Sequence, residues 1–293
     1  MQEFSIKHRL FSSSLGPWLR LMRLDRPIGL VLLLWPTLWA LFIAAGGWPD
    51  LKTLVIFVAG VGVMRSAGCV INDYFDRDID PQVARTQPRP LATGELAPNQ
   101  ALGLFVALMA IALGLVAMTN PTTVALALVG AVLATTYPLF KRITHGPQAV
   151  LGLAFSWAIP MAFTALGQPL DASVVLWMTI NVVWVLIYDT EYAMADRQDD
   201  LKVGVKSTAL WLGRWDIGAI AGWMVLMLLL LAVAGSLGRT DGLWWLSVAV
   251  VAALFGRQLW MIRGRDPQAC FQAFLFNHWV GLVIFLGIAS QLI

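Results

Sequence analysis

The stretch LKTLVIFVAGVGVMRSAGCVINDYFDRDID, residues 51–80, decides the fold. From residue 53 to residue 71 only Arg65 carries a charge. A helix rising ~1.5 Å per residue needs about 20 apolar residues to cross about 30 Å of hydrocarbon, and this run supplies them. The chain then changes character at once: Asn72 is followed by Asp73, Asp76, Asp78 and Asp80. An apolar span that ends in stacked carboxylates predicts a membrane helix carrying a polar site at its end.

Outward from this stretch the same apolar pattern recurs. Nine runs qualify as spans, at about 28–46, 52–71, 101–119, 121–140, 147–167, 172–190, 217–237, 242–262 and 273–292. The fold class is therefore all-α, a polytopic transmembrane helical bundle, with 1–293 forming a single membrane-embedded domain. Asn120-Pro121 breaks one hairpin, and Gly238 with Gly242 the other. Composition agrees. The chain is 59% hydrophobic and 13% charged, against roughly 25% charged in soluble domains, and its mean hydropathy is +0.74. A surface so poor in charge excludes a soluble globular protein. The basic balance, net +3, does not point to nucleic acid, because the basic residues sit between apolar runs.

Those basic residues set the orientation. With the N-terminus in the cytoplasm, 17 of the 20 Lys and Arg fall in cytoplasmic segments. Lys52 and Arg239 fall on the other side, and Arg65 lies within a span. Residues 1–27 lead into an apolar run too long for a signal-peptide core, so a bacterial inner membrane is the simplest location. Cys69 and Cys270 are expected to be free thiols, and Gly60, Gly62 and Gly68 to let the second span pack closely.

Nine of the 17 acidic residues lie in two short windows, one around residues 73–80 and one around 189–200. At about 100° per residue, Asn72, Asp76 and Asp80 share one face within about 80° if the helix continues, with Asp73 near it and Asp78 turned away. Asp189, Asp196 and Asp200 likewise share a face within about 40°, with Asp199 close by. Carboxylates gathered beside hydrocarbon repel one another and call for a cation. All-oxygen donors without His or Cys favour Mg²⁺, which binds through one or two carboxylates plus substrate phosphates. With no phosphate-cradling Gly-rich loop of the nucleotide-binding type, a lipid diphosphate fits better than a nucleotide triphosphate.

These residues resemble the UbiA-type membrane prenyltransferases. The motif Asn-Asp-x-x-Asp-x-x-x-Asp is matched by Asn72, Asp73, Asp76 and Asp80. The second motif is matched from Tyr188-Asp189-Thr190 through Asp196-Arg197-Gln198-Asp199-Asp200 to Gly204-Val205-Lys206-Ser207-Thr208. Leu24 to Gly29, Arg85-Thr86, Arg89-Pro90-Leu91, Tyr137-Pro138 and Lys141-Arg142 match as well, so the likeness covers nearly the whole chain. It is strongest to the branch that prenylates 4-hydroxybenzoate for ubiquinone synthesis.

The resemblance implies a Mg²⁺-dependent transfer of a polyprenyl group from a polyprenyl diphosphate to the ring of 4-hydroxybenzoate. It implies one Mg²⁺ on Asp76 and Asp80, with Asn72 and Asp73 orienting them. A second Mg²⁺ would sit on Asp196 and Asp200, with Asp189 and Asp199 beside it. Lys206, Arg85 and Arg89 would take diphosphate oxygens, and Arg142, ahead of Arg26, the acceptor carboxylate. Tyr188 or Asp196 could accept the proton. The site faces the cytoplasm, membrane lipid is the surroundings, and no obligate protein partner is implied. Two alternatives stay open: another aromatic acceptor, such as a dihydroxynaphthoate or homogentisate, and a divalent-cation transporter. The carboxylates at one end of the spans weigh against transport.

Overall fold

The computed structural model describes residues 13–238 and 242–292. The expected turns at Arg239 and the segment before Ser13 lie outside the described residues. A short helix α1, Gly16–Leu21, precedes α2, Ile28–Ala45, and α3, Leu51–Asp76. The loop after α3 carries a 3-10 turn, Asp80–Gln82. Then follow α4, Pro98–Val116; α5, Pro121–Ile143; and the broken pair α6, Pro147–Ser156, and α7, Ala158–Ala165. The second half comprises α8, Ala172–Val203; α9, Thr208–Leu212; α10, Asp216–Leu237; α11, Gly242–Ile262; and α12, Pro267–Leu292. Among the described residues, nine spans are long and apolar enough to cross a membrane, with α6–α7 and α9–α10 each counting as one.

Local chemistry sets the helix ends. Asp50, Asn120, Asp171 and Ser207 cap N-termini with side-chain oxygens that accept from Thr53, Thr123, Ser173 and Leu210 backbone N–H. Pro98, Pro121 and Pro147 occupy the first turn, where no N–H is needed. Gly46 and Gly204 end α2 and α8 at φ 64° and 71°, left-handed values that favour glycine.

Two helix ends differ from the sequence reading. The α8 helix runs to Val203, well past residue 190, because the aspartates that lower its hydropathy are interspersed with good helix formers such as Ala193, Met194, Arg197, Gln198 and Leu201. The α3 helix stops at Asp76 instead of continuing to Asp80. Asp80 precedes Pro81, which disfavours a helical residue before it, and the chain folds into the 3-10 turn.

The α8 helix is central and packs on α6, α10 and α12, while α2 packs on α12 and α7. Close approach falls at Gly281, where a Cβ would overlap the Trp35 and Trp184 rings. At Gly60, Gly62 and Gly68 a Cβ would meet open space, so close packing does not explain those glycines. Cys69 and Cys270 are free and buried.

A polar lock fixes the rotation of α8. Trp184 Nε1 donates to Asn277 Oδ1 at 3.0 Å, and Asn277 Nδ2 donates to Glu191 Oε2 at 2.8 Å. Glu191 lies about 200° around the helix from Asp189. Pinning Glu191 to α12 therefore turns Asp189 the other way. At the end of α8 that carries the acidic residues, Arg197 and Arg265 both donate to the fully buried Asp216. This ties α8, the start of α10 and the α11–α12 loop together.

Candidate functional site

One cavity of about 1060 Å³ opens where the acidic ends of α3 and α8 face each other. Asn72, Asp73, Asp76, Asp80, Asp189, Asp196 and Asp200 all line it. The fold thus brings together seven of the eight residues expected to serve metals. Asp199 is the exception. It pairs with Lys202 at 3.0 Å and is not part of the wall. Asp78 is also outside, exposed beside Arg77. Asp80 arrives by a different route from the one its spacing implied, since the 3-10 turn carries it back toward the end of α3.

The carboxylates are paired with cations. Arg23 Nη2 donates to both oxygens of Asp73 at 2.7 and 2.8 Å. Arg89 Nη1 lies 2.9 Å from both Asp80 oxygens and 3.1 Å from Asp73. Lys141 donates to Asp76 Oδ2, and Asp76 Oδ1 is buried without a hydrogen bond. Arg85 forks onto Asp196, with Nε donating to Oδ1 at 2.8 Å, and its guanidinium stacks 4.5 Å over the Tyr192 ring. Burial pushes the Asp80 carboxyl above the ordinary range, and Arg89 opposes that shift. The Asp200 carboxylate has no hydrogen bond or ion pair among the described residues, and Gln148 stands beside Asp189.

The turn after α8 supplies Lys206. Gly204 reverses the chain, Val205 N donates to Asp200 O, and Lys206 N donates to Lys141 O at 3.0 Å. Lys206 Nζ rests on the Ile143 carbonyl at 3.0 Å, at the cavity wall. Thr208 N donates to Gln148 Oε1, and the Thr190 and Thr208 hydroxyls bond at 2.6 Å, which seats this turn against α6 and α8.

Arg142, expected to take an acceptor carboxylate, does not line the cavity. Its side chain is half-exposed and donates to the Phe75 carbonyl, with Asp76 Oδ1 3.9 Å away. Its neighbour Lys141 faces inward instead. Arg26 lines the cavity, but its side chain is largely exposed beside Asp25. Tyr188 lines it too, with a buried hydroxyl that has no partner.

The residue that sequence reasoning left unused is Arg65. It sits two turns below Asn72 on α3 and lines the cavity among Tyr137, Tyr188 and Asp189. Its guanidinium lies against Gly29, where a Cβ would overlap it. Its Nε is buried without a hydrogen-bond partner, and the nearby carboxylate that acts on it is Asp189. An ionisable side chain within a span is the sequence signal for such a role. Arg23 was missed as well, because a basic residue ahead of a first span is expected anyway.

Nine membrane-length spans among the described residues, with two acidic motifs facing each other over one cavity, place this chain in the class of polytopic membrane enzymes. This chain belongs to the UbiA prenyltransferase family, whose model matches residues 33–281. It is 54% identical over 275 residues to a 4-hydroxybenzoate octaprenyltransferase of Chromohalobacter salexigens, covering 94% of this chain and 92% of that one. A UbiA homologue from Aeropyrum pernix, in its apo form, superposes with a TM-score of 0.79 at 23% identity, over 90% of this chain and 98% of that one. One from Archaeoglobus fulgidus, bound to GPP and Mg²⁺, superposes at 0.70 and 18%, over 94% and 99%. At these identities the two structures show the shared fold.

Proposed function

We propose that this protein transfers a polyprenyl group from a polyprenyl diphosphate to the 3-position of 4-hydroxybenzoate, releasing diphosphate, as a step of ubiquinone synthesis. The whole chain, 1–293, acts as one domain in a bacterial inner membrane, with the site open to the cytoplasm. The 54% identity to a 4-hydroxybenzoate octaprenyltransferase and the positive-inside count support this reading. The observation that carries it is Arg65, whose buried Nε has no hydrogen-bond partner, set among tyrosines and Asp189 below two facing acidic motifs. A long apolar diphosphate and a small aromatic carboxylate are the two ligands that such a cavity can satisfy at once.

The donor set fits Mg²⁺. It is all oxygen, and Asp76 Oδ1 is a buried acceptor with no hydrogen bond. Among the described residues no three His, Cys, Asp or Glu side chains close into a metal cage. Asn72, Asp76 and Asp80 would hold one ion, and Asp196 and Asp200 a second, with Asp73 and Asp189 behind them. Bound there, Mg²⁺ supplies charge neutralisation for the departing diphosphate.

The chain's own residues do the rest. Arg85, Arg89, Lys141 and Lys206 offer N–H donors to diphosphate oxygens as these displace the carboxylates they now hold. Arg65 pairs with the acceptor carboxylate and so sets which ring carbon meets the prenyl group. The Tyr137, Tyr188 and Tyr192 rings shield an electron-deficient allylic carbon from water. After the new carbon–carbon bond forms, the ring carbon loses its proton, and Asp196 or Tyr188, both in the cavity wall, would receive it.

The test is a membrane assay with radiolabelled 4-hydroxybenzoate and prenyl diphosphates of several lengths, with and without Mg²⁺. Dihydroxynaphthoate and homogentisate serve as competing acceptors. Labelled lipid product that requires Mg²⁺ supports the reading. Product with a different acceptor only would replace the acceptor, and no product with any would overturn the reading.

A further inference from the structure

We propose that residues 13–27 form a strap closing the first acidic motif, and that Arg23 is its positioning residue. The inference rests on the prenyl diphosphate reading of the cavity. The family model begins its match at residue 33, so nothing in that match assigns this segment a role.

Three observations carry it. First, the strap is packed. Leu21 is fully buried in one apolar cluster with Ala67, Val70, Leu91 and Leu96. Second, Arg23 is held in the left-handed region, φ 59°, which is uncommon outside glycine and persists only where the surroundings fix it. Here its Nη1 donates to the Arg20 carbonyl at 2.8 Å, and its Nη2 donates to both oxygens of the solvent-free Asp73. Third, the bond is one rung of a ladder. Asp73 shares Arg89 Nη1 with Asp80, so the order is Arg23, Asp73, Arg89, Asp80.

The ladder explains why Asp73 needs a second cation. Arg89 alone serves two buried carboxylates, donating to both oxygens of Asp80 at 2.9 Å and standing 3.1 Å from Asp73, and it can stay committed to Asp80 only while Arg23 neutralises Asp73. Without Arg23, Asp73 is a buried carboxylate with half a partner, and it would draw Arg89 away from Asp80. Asp80 would then lose its aim into the cavity, and Arg89 its place beside the diphosphate. Arg65, two turns away, would be untouched. Arg23 therefore tunes binding of the diphosphate and not of the aromatic acceptor.

The test uses the full-length protein with R23Q and R23K. Lysine keeps the charge but loses the fork. In R23Q the KM for prenyl diphosphate is expected to rise about tenfold with the acceptor KM within about twofold, and R23K to lie between R23Q and the parent. A second readout needs no turnover. Trypsin cleavage after Arg20 in the solubilised protein is expected to accelerate at least about fivefold in R23Q and in D73N, because each releases the strap. Equal rises in both KM values, or an unchanged cleavage rate in both variants, would overturn the proposal. Were the protein to prenylate no acceptor at all, the cleavage arm would still decide whether the ladder holds the strap, separately from the failure of the functional reading.

Discussion

The two acidic motifs face one cavity yet are neutralised unequally. In the first, Asp73, Asp76 and Asp80 are each held by a cation, with Arg23, Arg89 and Lys141 sharing the work. In the second, Arg85 covers Asp196, Asp189 has an amide beside it, and Asp200 has no ion pair among the described residues. Even Arg85 belongs to the loop after the first motif. Lys206, the cation that the second motif's own turn provides, rests on a carbonyl. The first motif is closed and the second is open. A divalent ion gains most where carboxylates are least compensated, so the second motif is the expected first landing place. On the proposed reading, the first would open when phosphate oxygens draw Arg89 and Lys141 away.

The largest effect falls on the carboxylates themselves. D76N and D196N are each expected to lower kcat by about a thousandfold while the protein still inserts and purifies. Normal turnover in either would sink the two-motif account. The next effect separates the acceptor from both motifs. R65Q is expected to raise the KM for 4-hydroxybenzoate about 10- to 100-fold, the worth of a charge-assisted hydrogen bond, with the prenyl diphosphate KM little changed. An unchanged acceptor KM would remove Arg65 from its role. Sharper still is R85Q, which strips the second motif of its cation. It is expected to tighten Mg²⁺ binding without substrate, read by tryptophan fluorescence titration, and to weaken prenyl diphosphate about tenfold. The same titration on K141M is expected to tighten Mg²⁺ less than R85Q, because Arg142 still stands 3.9 Å from Asp76. The reverse order would break the comparison between motifs.

Much of this was legible in the sequence, and the reasons differ by residue. Apolar runs fixed the spans because each helix must satisfy its backbone within lipid. Helical spacing correctly grouped Asp189, Asp196 and Asp200, because α8 continues through all three. The same arithmetic gave the wrong route for Asp80, although Pro81 was there to read. Arg65 was visible as a charge within a span, but the lack of a hydrogen-bond partner for its buried Nε is a tertiary fact. Arg23 was hidden for the opposite reason. Its partner Asp73 is 50 residues away, and five basic residues stand ahead of the first span. Arg142 and Lys141 show the limit most plainly. Adjacent basic residues at a helix end point about 100° apart, and only packing says which faces the cavity.

That last pair gives the smallest expected effect and tests the division of labour at the rim. Lys141 reaches Asp76 Oδ2, whereas Arg142 bonds the Phe75 carbonyl with its side chain half in solvent. A half-exposed guanidinium on a carbonyl contributes little, because water replaces the lost bond and screens the nearby carboxylate. R142A is therefore expected to change the KM for 4-hydroxybenzoate by less than about threefold, well below R65Q. Were R142A to raise the acceptor KM as much as R65Q, the acceptor carboxylate would have to bind at the rim. The aromatic ring would then lie beside the first motif instead of two turns below it. The expected small value keeps the carboxylate deep, so that both motifs stay free for the diphosphate.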